Sequence, residues 1–126
     1  MQTFSSETAT VALAGEGVDV RTAEAGEMAV GFFTLPAGLD LHPLLEGLPG
    51  DACQCPHWGV MLKGVVRMHT ADGPLDYRAG DVFHWAAGHV PEVIEDAQYI
   101  DFSPSAELHA VLGHVRSRAE AAGQPG

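Results

Sequence analysis

The sequence has few basic residues: Lys and Arg number 6, against 17 Asp and Glu, so the formal net charge is 6 − 17 = −11. A chain this acidic repels nucleic-acid phosphates and anionic lipid headgroups, and we expect neither nucleic acid nor a membrane as a partner. Apolar runs long enough to cross a membrane are also missing. The first fifteen residues carry no Lys or Arg and no apolar stretch of signal-peptide length, which favours a cytoplasmic location.

Cysteine is also scarce, since Cys53 and Cys55 are the only two. Two cysteines at this spacing cannot build a disulfide framework. We therefore expect both thiols to be reduced.

The length of 126 residues and the 46% hydrophobic content indicate one globular domain, residues 1–126. The 15 Gly and 8 Pro suit many turns between short strands. Residues 39–50 read as a loop with one helical turn, and an apolar stripe predicts a helix over residues 106–121, capped by Ser103 or Ser105. Alternation and turn signals predict strands at residues 8–14, 17–22, 28–35, 58–62, 65–69, 75–78, 82–85, 90–94 and 98–102. This pattern indicates an all-β sandwich or barrel with a terminal helix.

Residues 51–104 carry two motifs that resemble those of the cupins. The first is Asp-Ala-Cys-Gln-Cys-Pro-His-Trp-Gly-Val-Met-Leu-Lys-Gly at 51–64, and the second is Gly-Asp-Val-Phe-His-Trp-Ala-Ala-Gly-His-Val-Pro at 80–91. The run Cys-Gln-Cys-Pro-His-Trp-Gly is similar to a subgroup of small bacterial cupin-domain proteins. The resemblance implies a double-stranded β-helix, or jelly-roll barrel, with the C-terminal helix packed outside it.

The metal-ligand pattern of the cupins is altered here. His57 stands where the family has a glutamate, and the paired histidines fall on Asp51 and Cys53, or on Cys53 and Cys55 if a bulge shifts the register. Pro91 occupies the usual position of the second-motif histidine, and His89 lies two residues earlier. The metal chemistry of the family therefore does not carry over directly.

Cys53, Cys55 and His57 alternate along the chain and in an extended strand would project from one face, about 7 Å apart. Thiolates and imidazoles are soft donors that suit zinc, iron or copper(I), and His89 could supply a fourth ligand from across the barrel. The competing interpretation is that the two thiols fill space in the core and that His57 is a satisfied core histidine.

The resemblance places the odd-numbered face of this segment in the lumen, where a small organic ligand would bind. We expect Met61, Phe83, Trp85 and Phe102 to contact that ligand, and Asp51 to lie near the mouth as an acid or base. The predicted function is a cupin that holds zinc or iron and binds or transforms a small organic molecule. The alternative is a metal-free ligand-binding or thiol-sensing module. Fold-level analogy predicts a homodimer in which N-terminal strands add to a neighbouring barrel.

Overall fold

The computed structural model describes residues 1–123, so the last three positions of the expected 1–126 domain lie outside the described residues. Neither α-helix of this described part is long and apolar enough to cross a membrane. The elements are β1 (Thr10–Gly15), β2 (Val18–Ala25), β3 (Met28–Leu35), α1 (His42–Leu45), a 3-10 turn (Pro49–Asp51), β4 (His57–Thr70), β5 (Gly73–Arg78), β6 (Val82–Trp85), β7 (Val90–Pro104) and α2 (Ser105–Ala121).

The strands form one antiparallel sheet in the order β1-β2-β3-β7-β4-β5, with β6 paired to the first half of β4. β7 therefore lies between β3 and β4, although α1 and the strands β4 to β6 separate it from β3 along the chain. The predicted strands at 28–35 and 82–85 are confirmed with their bounds. The non-local pairing of β7 brings the two cupin-like motifs and the N-terminal strands around a common interior.

The prediction of separate strands at 58–62 and 65–69, and at 90–94 and 98–102, was wrong. β4 and β7 each run continuously, and they bend together where their register shifts between Met61 and Val66. Gly64 sits at this bend with φ 78°, and a Cβ there would lie 2.0 Å from the carbonyl oxygen of Asp96. The glycine produces a bulge in a continuous ladder rather than a turn, because hydrogen bonding to β7 resumes beyond it.

The two faces of β4 differ as its alternation predicts. His57 and Met61 are buried on the inner face, whereas Trp58 and Leu62 are 43% and 52% exposed on the outer face. The expectation that the odd-numbered residues at the start of β4 face inward is confirmed.

α2 buries Leu108, Leu112 and Val115, three members of its predicted apolar stripe. Neither expected serine caps it: Pro104 is the N-cap residue, Ser103 is buried in β7, and the Ser105 hydroxyl binds the carboxylate of Glu24. The helix was expected to pack outside the barrel. Its buried side chains line a cavity together with residues of α1 and β1 to β3, and exposed residues of the helix lie at the edge of that cavity.

Candidate functional site

Cys53, His57 and His89 form the one cluster of potential metal ligands in residues 1–123. One ligating atom of each lies within 4.8 Å of those of the other two, and all three residues are buried. We call this set the Cys–His–His cluster. It contains three of the four residues that the sequence suggested.

Backbone pairing fixes the cluster. Cys53 forms an isolated β-bridge with His89, in which the Cys53 N–H donates to the His89 carbonyl at 2.9 Å and the Gly88 N–H donates back to the Cys53 carbonyl at 2.8 Å. His57 is the first residue of β4 and pairs with Trp85 of β6. The turn after β6 therefore carries His89 back against the segment that precedes β4.

Hydrogen bonds orient both imidazoles. The His89 Nδ1 lies 2.6 Å from the carbonyl oxygen of Ala86, and because a carbonyl only accepts, Nδ1 carries the proton and Nε2 keeps its lone pair. The His57 Nδ1 lies 2.6 Å from Ser103 Oγ and 3.5 Å from Asp101 Oδ2, which directs Nε2 toward Cys53 Sγ. Such bonds to the distal nitrogen are typical around metal-ligating histidines.

Burial keeps both rings neutral, as metal binding requires. It lowers the pKa of His57 to about 3, with help from the neighbouring His89, and it lowers the pKa of His89 against the opposing bond to Ala86. The same loss of solvent raises the pKa of the Cys53 thiol to about 11. Without a cation beside it, this thiol is a weak nucleophile.

The spacing of the donors fits a tetrahedral metal. Bonds of about 2.3 Å to sulfur and about 2.05 Å to nitrogen, at a tetrahedral angle, separate the two donors by about 3.6 Å. The Cys53 Sγ and His57 Nε2 lie 3.6 Å apart. The cluster could therefore hold zinc, or iron(II) with the same donor set, without rearrangement of this pair.

Cys55, the fourth expected ligand, is not part of the cluster. Residues 54–56 are not in a strand, so the alternation that would have aligned Cys55 with Cys53 and His57 is interrupted before Pro56. Burial raises the pKa of the Cys55 thiol to about 12, with Cys53 nearby and a hydrogen bond from Ser103 opposing the shift. Cys55 contacts the residue that supports His57, and both cysteines are free thiols.

A cavity of about 560 Å³ adjoins the cluster. Cys53, His57 and His89 line its buried side, and the exposed residues Glu16 and Arg116 lie on its rim. Between these sides the walls come mainly from aliphatic side chains of β1 to β3, α1 and α2. The volume falls within the usual range for small-molecule sites.

Sequence reasoning missed Asp101 and Tyr99, which line the buried side of the cavity. Burial raises the pKa of the Asp101 carboxyl well above its usual range, and it raises that of the Tyr99 phenol as well. Asp101 pairs with Gly31 of β3 and Gly59 of β4, and a Cβ at Gly31 would lie 2.7 Å from Asp101 Oδ1. Glycines in the two strands that flank β7 were the available signal, since glycine within a strand often marks a close approach.

The expected ligand contacts are corrected in part. Trp85 lines the cavity, whereas Met61 and Phe83 are buried without lining it, and Phe83 stacks on Trp85 with ring centroids 3.6 Å apart. Phe102 is 44% exposed on the outer face, because its even-numbered position in β7 is opposite in parity to the buried Tyr99 and Asp101. Asp51 is exposed in the 3-10 turn, where its carboxylate accepts a hydrogen bond from the Gly47 N–H.

No protein-family model matches the chain, and no curated protein matches it in sequence. Solved structures do match. A protein of unknown function from Rhizobium leguminosarum bv. viciae 3841 superposes with a TM-score of 0.60 at 12% identity, covering 82% of this chain and 94% of that one. An RmlC-like cupin from Shewanella frigidimarina gives 0.55 at 15% identity, with 78% and 86% covered. Ectoine synthase from P. lautus gives 0.56 at 9% identity, with 78% and 74% covered.

At these identities the matched structures show the fold alone. The similarity of residues 53–59 to one subgroup of small bacterial cupins stays a prediction. The mostly antiparallel strands, the C-terminal helix and the structural neighbours agree with the resemblance of the two motifs. The chain has the jelly-roll barrel fold of the cupins.

Proposed function

We propose that this protein binds a divalent transition metal, zinc or iron, through Cys53, His57 and His89, and that it binds or transforms a small organic molecule in the adjoining cavity. The observation that carries the proposal is the convergence of three buried soft donors on the wall of a cavity of about 560 Å³. The cupin fold of the neighbours supports it, since the RmlC-like cupin and ectoine synthase share this architecture.

Three protein ligands leave a tetrahedral metal with one open position, as catalytic zinc sites do, whereas structural sites use four. A metal here would supply Lewis-acid polarisation of a ligand oxygen. The Asp101 carboxyl and the Tyr99 phenol lie on the same buried side of the cavity, and burial, which raises the pKa of both, favours the protonated forms that would donate hydrogen bonds to that ligand. Ser103 would hold the His57 ring in place through its Nδ1.

The two cysteines provide a matched test. Protein purified without a nickel column should hold about one equivalent of zinc or iron by elemental analysis, or take it up on incubation. Cys53→Ala should lose this metal, and Cys55→Ala should keep it, because only Cys53 belongs to the cluster. Less than about a tenth of an equivalent in the wild type, before and after incubation with zinc or iron(II), would refute the proposal.

The metal-free alternative predicts the opposite result for thiol reactivity. If Cys53 sensed oxidants, a thiol reagent would modify it at once, but its raised pKa of about 11 argues against this. Buried Cys53 should react slowly whether or not a chelator is present, so rapid modification would support the oxidant sensor. Slow modification leaves the metal content to separate the metal site from a metal-free ligand-binding module.

We further propose a homodimer and a cytoplasmic location. β1 is an edge strand and could add to a second copy, as the N-terminal strands were expected to do. The outer face of the sheet also exposes Trp58, Phe102 and Val82 to the extent of 43%, 44% and 82%. Light scattering should give twice the 13.3 kDa chain mass, and a mass of one chain would refute the dimer. The free state of both cysteines suits a reducing compartment.

A further inference from the structure

The walls of the cavity are aliphatic between its buried side and its rim. Strands and helices contribute in similar measure, through Leu13, Val20, Leu35, Leu44, Leu108 and Leu112. Charged lining residues are confined to the exposed rim, apart from Asp101 at the buried side. Such walls hold water poorly and favour a ligand with a hydrocarbon body.

Two buried polar atoms beside the cluster lack partners within residues 1–123: Trp85 Nε1 and Asp101 Oδ1. Both residues line the cavity, and they are only 3% and 1% exposed. An indole N–H can only donate a hydrogen bond, so the group that pairs with Trp85 Nε1 must be an acceptor. Buried polar groups are nearly always paired, and a ligand oxygen at this side of the cavity would supply the missing partner.

The cavity is built for a small molecule and not for a polypeptide segment. α1 and α2 are tied together over it, because the His114 Nε2 lies 2.7 Å from the Glu46 carbonyl oxygen and Arg118 pairs with the Glu46 carboxylate at 3.6 Å. A backbone would bring polar amides into aliphatic walls that offer them no partners. At about 30 Å³ for each water-sized group, the volume holds on the order of ten to twenty heavy atoms.

We propose that the cavity ligand is a medium-chain aliphatic carbonyl compound, with its hydrocarbon chain against the Leu and Val walls and its oxygen at the Trp85 N–H and the Cys–His–His cluster. The position of the oxygen at a metal rests on the proposed function. The contacts of the chain do not, because the aliphatic walls are present with or without a metal.

Trp85 itself can report the binding. The sequence has 2 Trp, so Trp58→Phe leaves Trp85 as the sole indole. We would titrate this variant with neutral methyl ketones of about four to ten carbons, and follow Trp85 emission in zinc-loaded and in chelated protein. Each added methylene should tighten binding about three- to fourfold until the cavity is full. The loaded protein should bind each ketone more tightly than the chelated protein.

Two substitutions on α2 control for binding elsewhere. Val111 lines the cavity, so Val111→Phe should fill part of it and weaken the longest ketones by at least about tenfold, which corresponds to the loss of two methylenes. Ala110 is exposed and does not line it, so Ala110→Phe should leave their binding unchanged. An equal effect of both variants would place the ketones on the outer surface and overturn the inference.

The outcomes separate this inference from the proposed function. Affinity that rises with chain length in protein that takes up no metal would sustain the inference and refute the metal site. Metal uptake together with ketone binding that does not depend on chain length would support the metal site and refute the inference. Absence of saturable binding for the whole series in both forms would overturn the inference.

Discussion

Replacing Ser103 by alanine should separate the role of the His57 hydrogen bond from that of the metal ligands. The Ser103 hydroxyl is 0% exposed and lies 2.6 Å from the His57 Nδ1. After its removal Asp101 Oδ2 still lies 3.5 Å from the His57 Nδ1. A buried donor left without a partner costs about 1–3 kcal/mol, and partial capture by Asp101 should place the loss at the lower end of that range.

The loss of metal-binding free energy should exceed the loss of folding free energy, because the His57 ring would no longer be held in one orientation. Loss of a supporting hydrogen bond of this kind weakens metal binding about 10- to 100-fold. Competition with a chromophoric chelator would measure that change, and urea unfolding of the chelated protein would measure the change in stability. Ser105→Ala is the matched control, since its hydroxyl binds the exposed Glu24 and contacts neither histidine.

Equal zinc affinity of Ser103→Ala and Ser105→Ala would refute a role for the Ser103 hydroxyl in holding the His57 ring. Asp101 alone would then orient the ring. If metal binding fell as predicted while the metal-free variant unfolded at the wild-type urea concentration, the hydroxyl would position His57 without contributing to folding.

Two further predictions concern the metal-free protein. The His57 pKa of about 3 lies below its unfolded value of 6.5, so the unfolded chain takes up a proton first as the pH falls. The contribution of His57 to stability is therefore complete above pH 6.5 and is lost progressively below it. In urea unfolding, the free energy of unfolding of the wild type should fall by about 1.4 kcal/mol per pH unit from pH 6.5 to 4.5, relative to His57→Gln. A constant difference between the two proteins would contradict this. Asp101 changes stability in the opposite direction, but it does so in both proteins. Gly64→Ala should destabilise more than the roughly 1–2 kcal/mol of its positive φ, because its Cβ would meet the Asp96 carbonyl oxygen. Gly26 has a similar φ but open space around its Cβ position, so Gly26→Ala should lose only the roughly 1–2 kcal/mol that positive φ costs. Equal losses of stability in the two variants would show that the contact with Asp96 does not matter.

The sequence predicted the parts of the fold that depend on local chemistry. Alternation placed His57 inward and Trp58 outward, and the glycine-rich turns located the ends of β6. The strand break in β4 was wrongly inferred because a glycine with positive φ, here Gly64, looks the same in a bulge and in a turn. Only the pairing partner distinguishes the two, and that partner is distant in the chain.

The candidate site could be predicted only in part for the same reason. Cys53 and His89 meet through a β-bridge that no local pattern records, and Cys55 is excluded because the strand begins only at His57. Asp101 was missed because a carboxylate in a strand is ordinarily solvated. The cavity walls were missed because α1 and α2 come together over the sheet only in three dimensions.

The pairing of Asp101 with a glycine on either side has a consequence for how this chain can change over evolution. A Cβ at Gly59 would lie 2.8 Å from the Asp101 Cα, and one at Gly31 would meet its carboxyl. The Phe33 ring also stands where a Gly31 side chain would go, at 2.5 Å, so Gly31 is released only if residues 33 and 101 both become smaller. Gly59 is blocked by the backbone of Ile100 and Asp101, whatever the side chain at position 101. In related sequences, a side chain at position 31 should therefore appear only with smaller residues at both 33 and 101, and Gly59 should be kept in either case.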